Sequence, residues 1–199
     1  FLATVLFFVK LFIVNWSYTR SQKTGEKHVV QTENSNSRET VEDEVARYLS
    51  AQNATIALAE SCTGGLMAHR LTNIAGSSRY FIFSAVTYSN ESKIKLLGVL
   101  AETIQNLGAV HVQTAKEMAE GARRIGNSTY ALSTTGIAGP SGGTIEKPVG
   151  TVCIGLATPR KTIGRRLCFS SLNRLQNKDA FAQAALELLL KELQNINRT

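Results

Sequence analysis

Cysteine, histidine and proline are scarce in this chain, and each scarcity removes a class of explanation. Three cysteines, with no CxxC spacing, argue against a disulfide framework or a cysteine-bound zinc. Cys153, inside Thr151-Val152-Cys153-Ile154-Gly155, and Cys168 read instead as small buried hydrophobes. His28, His69 and His111 stand at unrelated spacings, which argues against a histidine-based metal centre. Three prolines and 7% aromatic residues against fifteen glycines fit neither a disordered nor a fibrous chain. There is no internal repeat. No Lys/Arg run is interleaved with aromatics, as a nucleic-acid groove would require. The formal charge of +7 divides into +3 over residues 1–38 (five Lys/Arg, two Asp/Glu) and +4 over the rest. A mildly basic fold of that kind suits an anionic small molecule.

What is present is enough for one core: 199 residues, 43% of them hydrophobic. Phe1 to Trp16 is an apolar run broken by Lys10 and Asn15, shorter than a spanning helix requires. It admits three readings: a targeting core, a membrane anchor, or a stretch outside the native domain. Residues 17–38, rich in Ser, Thr, Asn, Gln and charge, read as a linker, so the folded domain is expected over 39–199.

From Glu39 onward, helical and strand patterns alternate. Val41, Val45, Tyr48 and Leu49 mark a helix, and Ala54–Leu58 a strand. A helix from Leu66 to about Leu71 follows, then a buried strand over Tyr80–Tyr88. Asn90–Leu97, Ala101–Leu107 and Thr114–Ile125 read as helices, and Thr129–Thr134 as a strand. Gly150–Ala157 and Ile163–Phe169 form a hairpin about Pro159-Arg160-Lys161, and a helix from about Asp179 to Leu193 closes the chain. The expected fold is α/β, a three-layer α/β/α sandwich whose sheet is mixed because the hairpin is too tight for parallel strands.

Chemistry concentrates at strand ends. Ala59-Glu60-Ser61-Cys62-Thr63-Gly64-Gly65 sits at a strand-to-helix turn, where free N–H groups and the helix dipole can hold an anion or oxyanion. Ser61 is there a nucleophile or, in the ordinary role of a serine at such a turn, a helix N-cap. It has no evident His-Asp partners, so its base would be Lys93 or Tyr88 with a lowered pKa. By default these two are a solvated lysine and a strand-end aromatic. Thr135-Gly136-Ile137-Ala138-Gly139-Pro140-Ser141-Gly142-Gly143 is a second loop, without the GxxxxGK[ST] of a phosphate loop. Lys147 is either a phosphate ligand or a surface charge.

Several strings in one order carry a family resemblance. They are Ala59–Gly65; Ile74-Ala75-Gly76-Ser77-Ser78; Val86-Thr87-Tyr88-Ser89-Asn90; Lys93 with Leu97-Gly98-Val99; Gly136–Pro140 with Gly142-Gly143; and Lys147-Pro148-Val149-Gly150-Thr151-Val152. From about Glu39 to Leu193 the chain resembles the C-terminal domain of the competence/damage-inducible protein CinA, a family that includes stand-alone nicotinamide-nucleotide amidases. The resemblance implies hydrolysis of the carboxamide of nicotinamide mononucleotide to nicotinate mononucleotide and ammonia, without metal or cofactor. It matches Ser61 to the nucleophile and Tyr88 and Lys93 to the residues that activate it. Thr135 matches a Ser/Thr of the site, and Arg174 falls where the family has the arginine of a Phe-x-Gly-Asp-Arg segment. Thr63, Gly64, Gly65, Gly136, Gly139 and Lys147 complete the expected substrate contacts. A cytoplasmic homo-oligomer without nucleic-acid partners is implied, membrane-attached only through Phe1–Trp16. Two positions depart from the pattern. Phe169-Ser170-Ser171-Leu172-Asn173-Arg174 lacks the Gly-Asp pair and is one residue longer, and His111 stands where a serine is common.

Overall fold

Alternating short apolar runs and amphipathic stretches give five strands and six α-helices in the computed structural model, which describes residues 39–196. The expected apolar segment and linker over 1–38 lie outside the described residues. Helix α1 (Val41–Ala51) opens on a reciprocal cap: the Asp43 N–H donates to Thr40 Oγ1 (3.3 Å), and the Thr40 N–H donates to the Asp43 carboxylate (3.0 Å). Then come β1 (Ile56–Glu60), α2 (Leu66–Thr72), β2 (Phe81–Val86), α3 (Asn90–Leu97), α4 (Ala101–Leu107), α5 (Val112–Gly126) and β3 (Tyr130–Gly136). The hairpin β4 (Thr151–Ala157) and β5 (Thr162–Cys168) follows, and α6 (Arg174–Ile196) closes the described chain.

The strands lie in the order β2-β1-β3-β4-β5. β1 runs parallel to both its neighbours, and β4 and β5 are antiparallel, so the sheet is mixed as expected. Side chains alternate across it. Ile56, Leu58, Leu132 and Ile154 pack on one face with α1, α2 and α6, in a core of large residues such as Leu49, Met67, Phe181 and Leu189. Ala57, Ala59, Ala131 and Ala157 face the other way, against Met118, Ala119 and Ala122 of α5 and Leu97 of α3. That layer is thin because its residues are small. A Cβ at Gly121 would meet Leu97 O at 2.0 Å, so α3 and α5 touch backbone to side-chain-free backbone. The result is an α/β sandwich with helices on both faces.

Three expectations are corrected. Cys168 is exposed on the edge strand β5 rather than buried, unlike Cys153. β2 is an edge strand rather than a buried one, with Ile82 45% and Val86 49% exposed. Its aromatics pack on both faces, Phe81 against the large-residue core and Phe83 against the α5 layer, and neither is fully buried. α6 starts at Arg174, not Asp179, because Asn173 and Gln176 cap it reciprocally: the Gln176 N–H donates to Asn173 Oδ1 (3.0 Å), and the Asn173 N–H to Gln176 Oε1 (2.9 Å). Among the described residues no helix is long and apolar enough to cross a membrane.

Candidate active site

The carboxyl ends of the parallel strands share one edge of the sheet, and β1 is where the chain passes from building one side (β2) to the other (β3). Crevices form at such switch points. Here the crevice is a cavity of about 280 Å³, open to solvent. Its walls are Ser61 and Cys62 after β1, Tyr88, Asn90 and Lys93 after β2, and the loop from Thr135 to Gly142 after β3, with Ala109, Val110 and Arg174 closing it. No carboxylate lines it, whereas Lys93 and Arg174 do.

Ser61 does not cap a helix. Its N–H continues the sheet by donating to Thr134 O (3.0 Å), and the N-cap of α2 is Gly65, at φ +95°. The N–H groups at the start of α2 belong to Glu60. One carboxylate oxygen accepts from the Gly65 N–H (2.9 Å), the Met67 N–H (3.2 Å) and the Thr63 hydroxyl (2.8 Å). The other accepts from the Ala68 N–H (2.9 Å) and the Ser84 hydroxyl (3.2 Å). This corrects the expectation of a free helix N-terminus over Cys62–Gly65. A buried carboxylate already occupies it, and the Gly64 N–H is spent on Ser61 O (3.1 Å). At this turn the Cys62 and Thr63 N–H groups are taken neither by a backbone carbonyl nor by the Glu60 carboxylate.

Freed from capping, the Ser61 hydroxyl faces an amine. Lys93 Nζ lies 3.2 Å from Ser61 Oγ, 2.8 Å from Thr87 O and 3.3 Å from Tyr88 O, on a side chain 1% exposed. Burial holds its pKa below the usual lysine value. No carboxylate pairs with it among the described residues. Nζ donates to the two carbonyls and lies within hydrogen-bond distance of the Ser61 hydroxyl, to which it donates as an ammonium and from which it accepts the proton as a neutral amine. The neighbouring Cys62 thiol is also buried, which pushes it up to about 12, and it is therefore protonated and a poor nucleophile.

Tyr88 stands apart from this pair. The residue is 61% exposed, and its hydroxyl accepts from Arg174 Nη2 (3.0 Å). Arg174 also donates through Nη1 to Gly139 O (2.6 Å) and so ties α6 to the glycine loop. The unusual segment before it therefore still delivers Arg174 to the cavity. Thr135, 1% exposed, donates to Ala109 O (2.9 Å) and fixes the opposite wall.

Of the residues singled out in the sequence, Ser61, Tyr88, Lys93, Thr135, Gly136, Gly139 and Arg174 line the cavity. Thr63, Gly64, Gly65 and Lys147 do not. Thr63 is buried against Glu60 and Thr134 Oγ1 (2.7 Å), and Lys147 Nζ donates to Leu107 O (2.9 Å) on the outer face of a loop. Sequence reasoning missed Asn177, which is wholly buried and donates through Nδ2 to Ala138 O (3.1 Å) and Leu172 O (3.3 Å). Its signal was an amide four residues before Phe181, on the apolar face of α6. Among the described residues there is no group of three or more His, Cys, Asp or Glu side chains arranged to hold a metal.

The family model of the CinA C-terminal domain matches residues 38–193. A CinA-like protein of Desulfosudis oleivorans is 56% identical over 153 residues, which is 77% of this chain and 37% of that protein. Another, of Chloroherpeton thalassium, is 52% identical over 158 residues, 78% of this chain and 37% of its own length. This chain thus spans little more than a third of these curated relatives. Among solved structures, competence/damage inducible protein CihA of Agrobacterium tumefaciens superposes with a TM-score of 0.73 at 38% identity, covering 77% of this chain and 95% of that one. The competence damage-inducible protein A (ComA) of Klebsiella pneumoniae superposes at 0.74 with 32% identity, covering 77% and 95%.

Proposed function

We propose that this chain, which belongs to the CinA C-terminal domain family, is an amidohydrolase that releases ammonia from the carboxamide of nicotinamide mononucleotide through a serine nucleophile. The observation that carries the reading is the buried amine of Lys93, 3.2 Å from the Ser61 hydroxyl, with its pKa lowered by burial. Ser61 Oγ attacks the carboxamide carbon while its proton passes to Lys93 Nζ. The tetrahedral oxyanion lies against the N–H group of Cys62, the cavity-lining donor left over once Glu60 has taken those of α2. Lys93, now an ammonium, returns the proton to the departing nitrogen. Ammonia leaves and an acyl-serine remains. Water then attacks that ester while Lys93 accepts its proton, the ammonium passes that proton to the departing Ser61 Oγ, and nicotinate mononucleotide leaves with Ser61 and Lys93 restored. A cavity lined by the Arg174 guanidinium and free of carboxylates favours an anionic substrate.

The test is ammonia release from nicotinamide mononucleotide by the 199-residue chain and by Ser61→Ala. The expected result is turnover in the parent and a loss of about three orders of magnitude or more in the variant, with an unchanged melting temperature. Near-parental activity in Ser61→Ala overturns the covalent mechanism. Binding without ammonia release by the parent supports instead a nucleotide-binding member of the family that lacks turnover.

A further inference from the structure

A half-buried cation above the nucleophile turn has no role in the chemistry described so far. Lys178 lies one helical turn after Arg174 on α6, so the two share a face. A Cβ built at Gly64 would come within 3.5 Å of Lys178 Nζ, so the ammonium stands directly over the turn that carries Ser61. Gly64 is at φ +63° and carries no side chain toward that ammonium. Lys178 makes no hydrogen bond or ion pair among the described residues. Arg174, by contrast, is fixed by Gly139 O and Tyr88 Oη and uses only two of its N–H groups there.

The helix that carries both residues is built against its own dipole. The first turn of α6 holds no acidic residue and begins with a cation at its positive end. Cations at that end are unfavourable in a free helix. A dianion seated between Arg174 and Lys178 would neutralise both charges and the helix terminus together.

We propose that Lys178, with Arg174, forms a subsite for the phosphate monoester of the substrate, placed over Gly64 so that it orients the far end of the molecule while the carboxamide meets Ser61. This rests on the amidase reading only for the identity of the substrate. A phosphate group is a natural occupant because Arg174 offers a planar fork and Lys178 a point charge, the two complementary ways proteins hold phosphate oxygens.

Two measurements on the 199-residue chain test it. Lys178→Gln is expected to raise KM for nicotinamide mononucleotide more than it lowers kcat. It should also shrink the preference for that substrate over nicotinamide riboside by about tenfold or more, a change that Lys178→Arg largely reverses. Inorganic phosphate is expected to raise the melting temperature of the parent and to do so less for Lys178→Gln. Equal losses on the phosphorylated and unphosphorylated substrates overturn the subsite, as does equal phosphate stabilisation of parent and variant. If the parent releases no ammonia from either substrate, the amidase reading fails alone. The phosphate measurement then still decides Lys178: a parent that phosphate does not stabilise overturns it.

Discussion

Lys93 is an ionisable side chain kept where its charge is costly, and that cost has a pH signature. Its pKa in the fold is depressed from the ordinary 10.5 by burial, whereas in the unfolded chain it is not. Between the two values the unfolded state binds the extra proton, so stability rises with pH across that window and falls as pH drops through the folded pKa. Replacing the amine by a chain of similar length removes both the cost and the pH slope. Lys93→Met is therefore expected to unfold at higher denaturant concentration than the parent at neutral pH. The gap should close toward pH 10, as denaturant titrations at several pH values would show. The same variant should lose about 10²–10⁴-fold in turnover, the usual worth of a general base. If Lys93→Met is less stable at neutral pH, the hydrogen bonds of the amine outweigh the cost of burying it. Tyr88→Phe separates the two residues first considered as the base. Its hydroxyl contacts Arg174 rather than Ser61, so the variant should lose less than about tenfold in kcat, with the larger change in KM. A loss matching that of Lys93→Met would place the phenol in the proton path.

At the scale of elements, the turn between β1 and α2 is held by one side chain. Glu60 accepts five hydrogen bonds from Thr63, Gly65, Met67, Ala68 and Ser84. Glu60→Gln puts an N–H₂ group among donors, so it should cost about 2 kcal/mol or more of stability, measured by urea titration. Ammonia release should fall with it, because the Ser61 turn loses its anchor. Close backbone contact sets the other helix layer. Gly121→Ala would press a methyl group on Leu97 O, 2.0 Å from the ideal Cβ position, and is expected to cost about 1–3 kcal/mol. A neutral result would mean that α3 moves freely against α5. These elements were legible to different degrees. The apolar spacing of α1 and α5 and the tight β4–β5 hairpin were readable because each is a local pattern. The edge position of β2 was not, since strand order depends on partners distant in sequence. Glu60 was hidden for a related reason: a carboxylate before a Ser-Cys-Thr-Gly-Gly turn looks exposed until the fold turns it inward onto a helix terminus. Arg174 and Lys93 could be named from motif order, but their partners could not. The start of α6 was missed because Asn173 and Gln176 look like loop residues unless paired.

On the scale of the whole molecule, every residue around the cavity lies between Ser61 and Arg174, well after the composition shift near residue 38. A chain beginning at Glu39 is expected to match the full chain in kcat and KM for ammonia release. It should elute as a smaller and less self-associating species, since removing an apolar run such as Phe1–Ile13 removes a sequence that favours association in water. Loss of activity in a folded truncation would assign residues 1–38 to the site. The strand order also sets when the molecule becomes functional during synthesis. β1 emerges early, yet one of its two neighbours is β3, and α1 rests on α6 at the far end of the chain. Pairings so distant in sequence form late. The nucleophile turn therefore waits on the ribosome: with α6 still in the exit tunnel, Ser61 has no Arg174 opposite it, and the large-residue core lacks Phe181 and Leu189. Nascent and prematurely terminated chains should accordingly be inert toward the nucleotide pool, and they should expose the apolar face of the sheet that quality-control proteases and chaperones recognise.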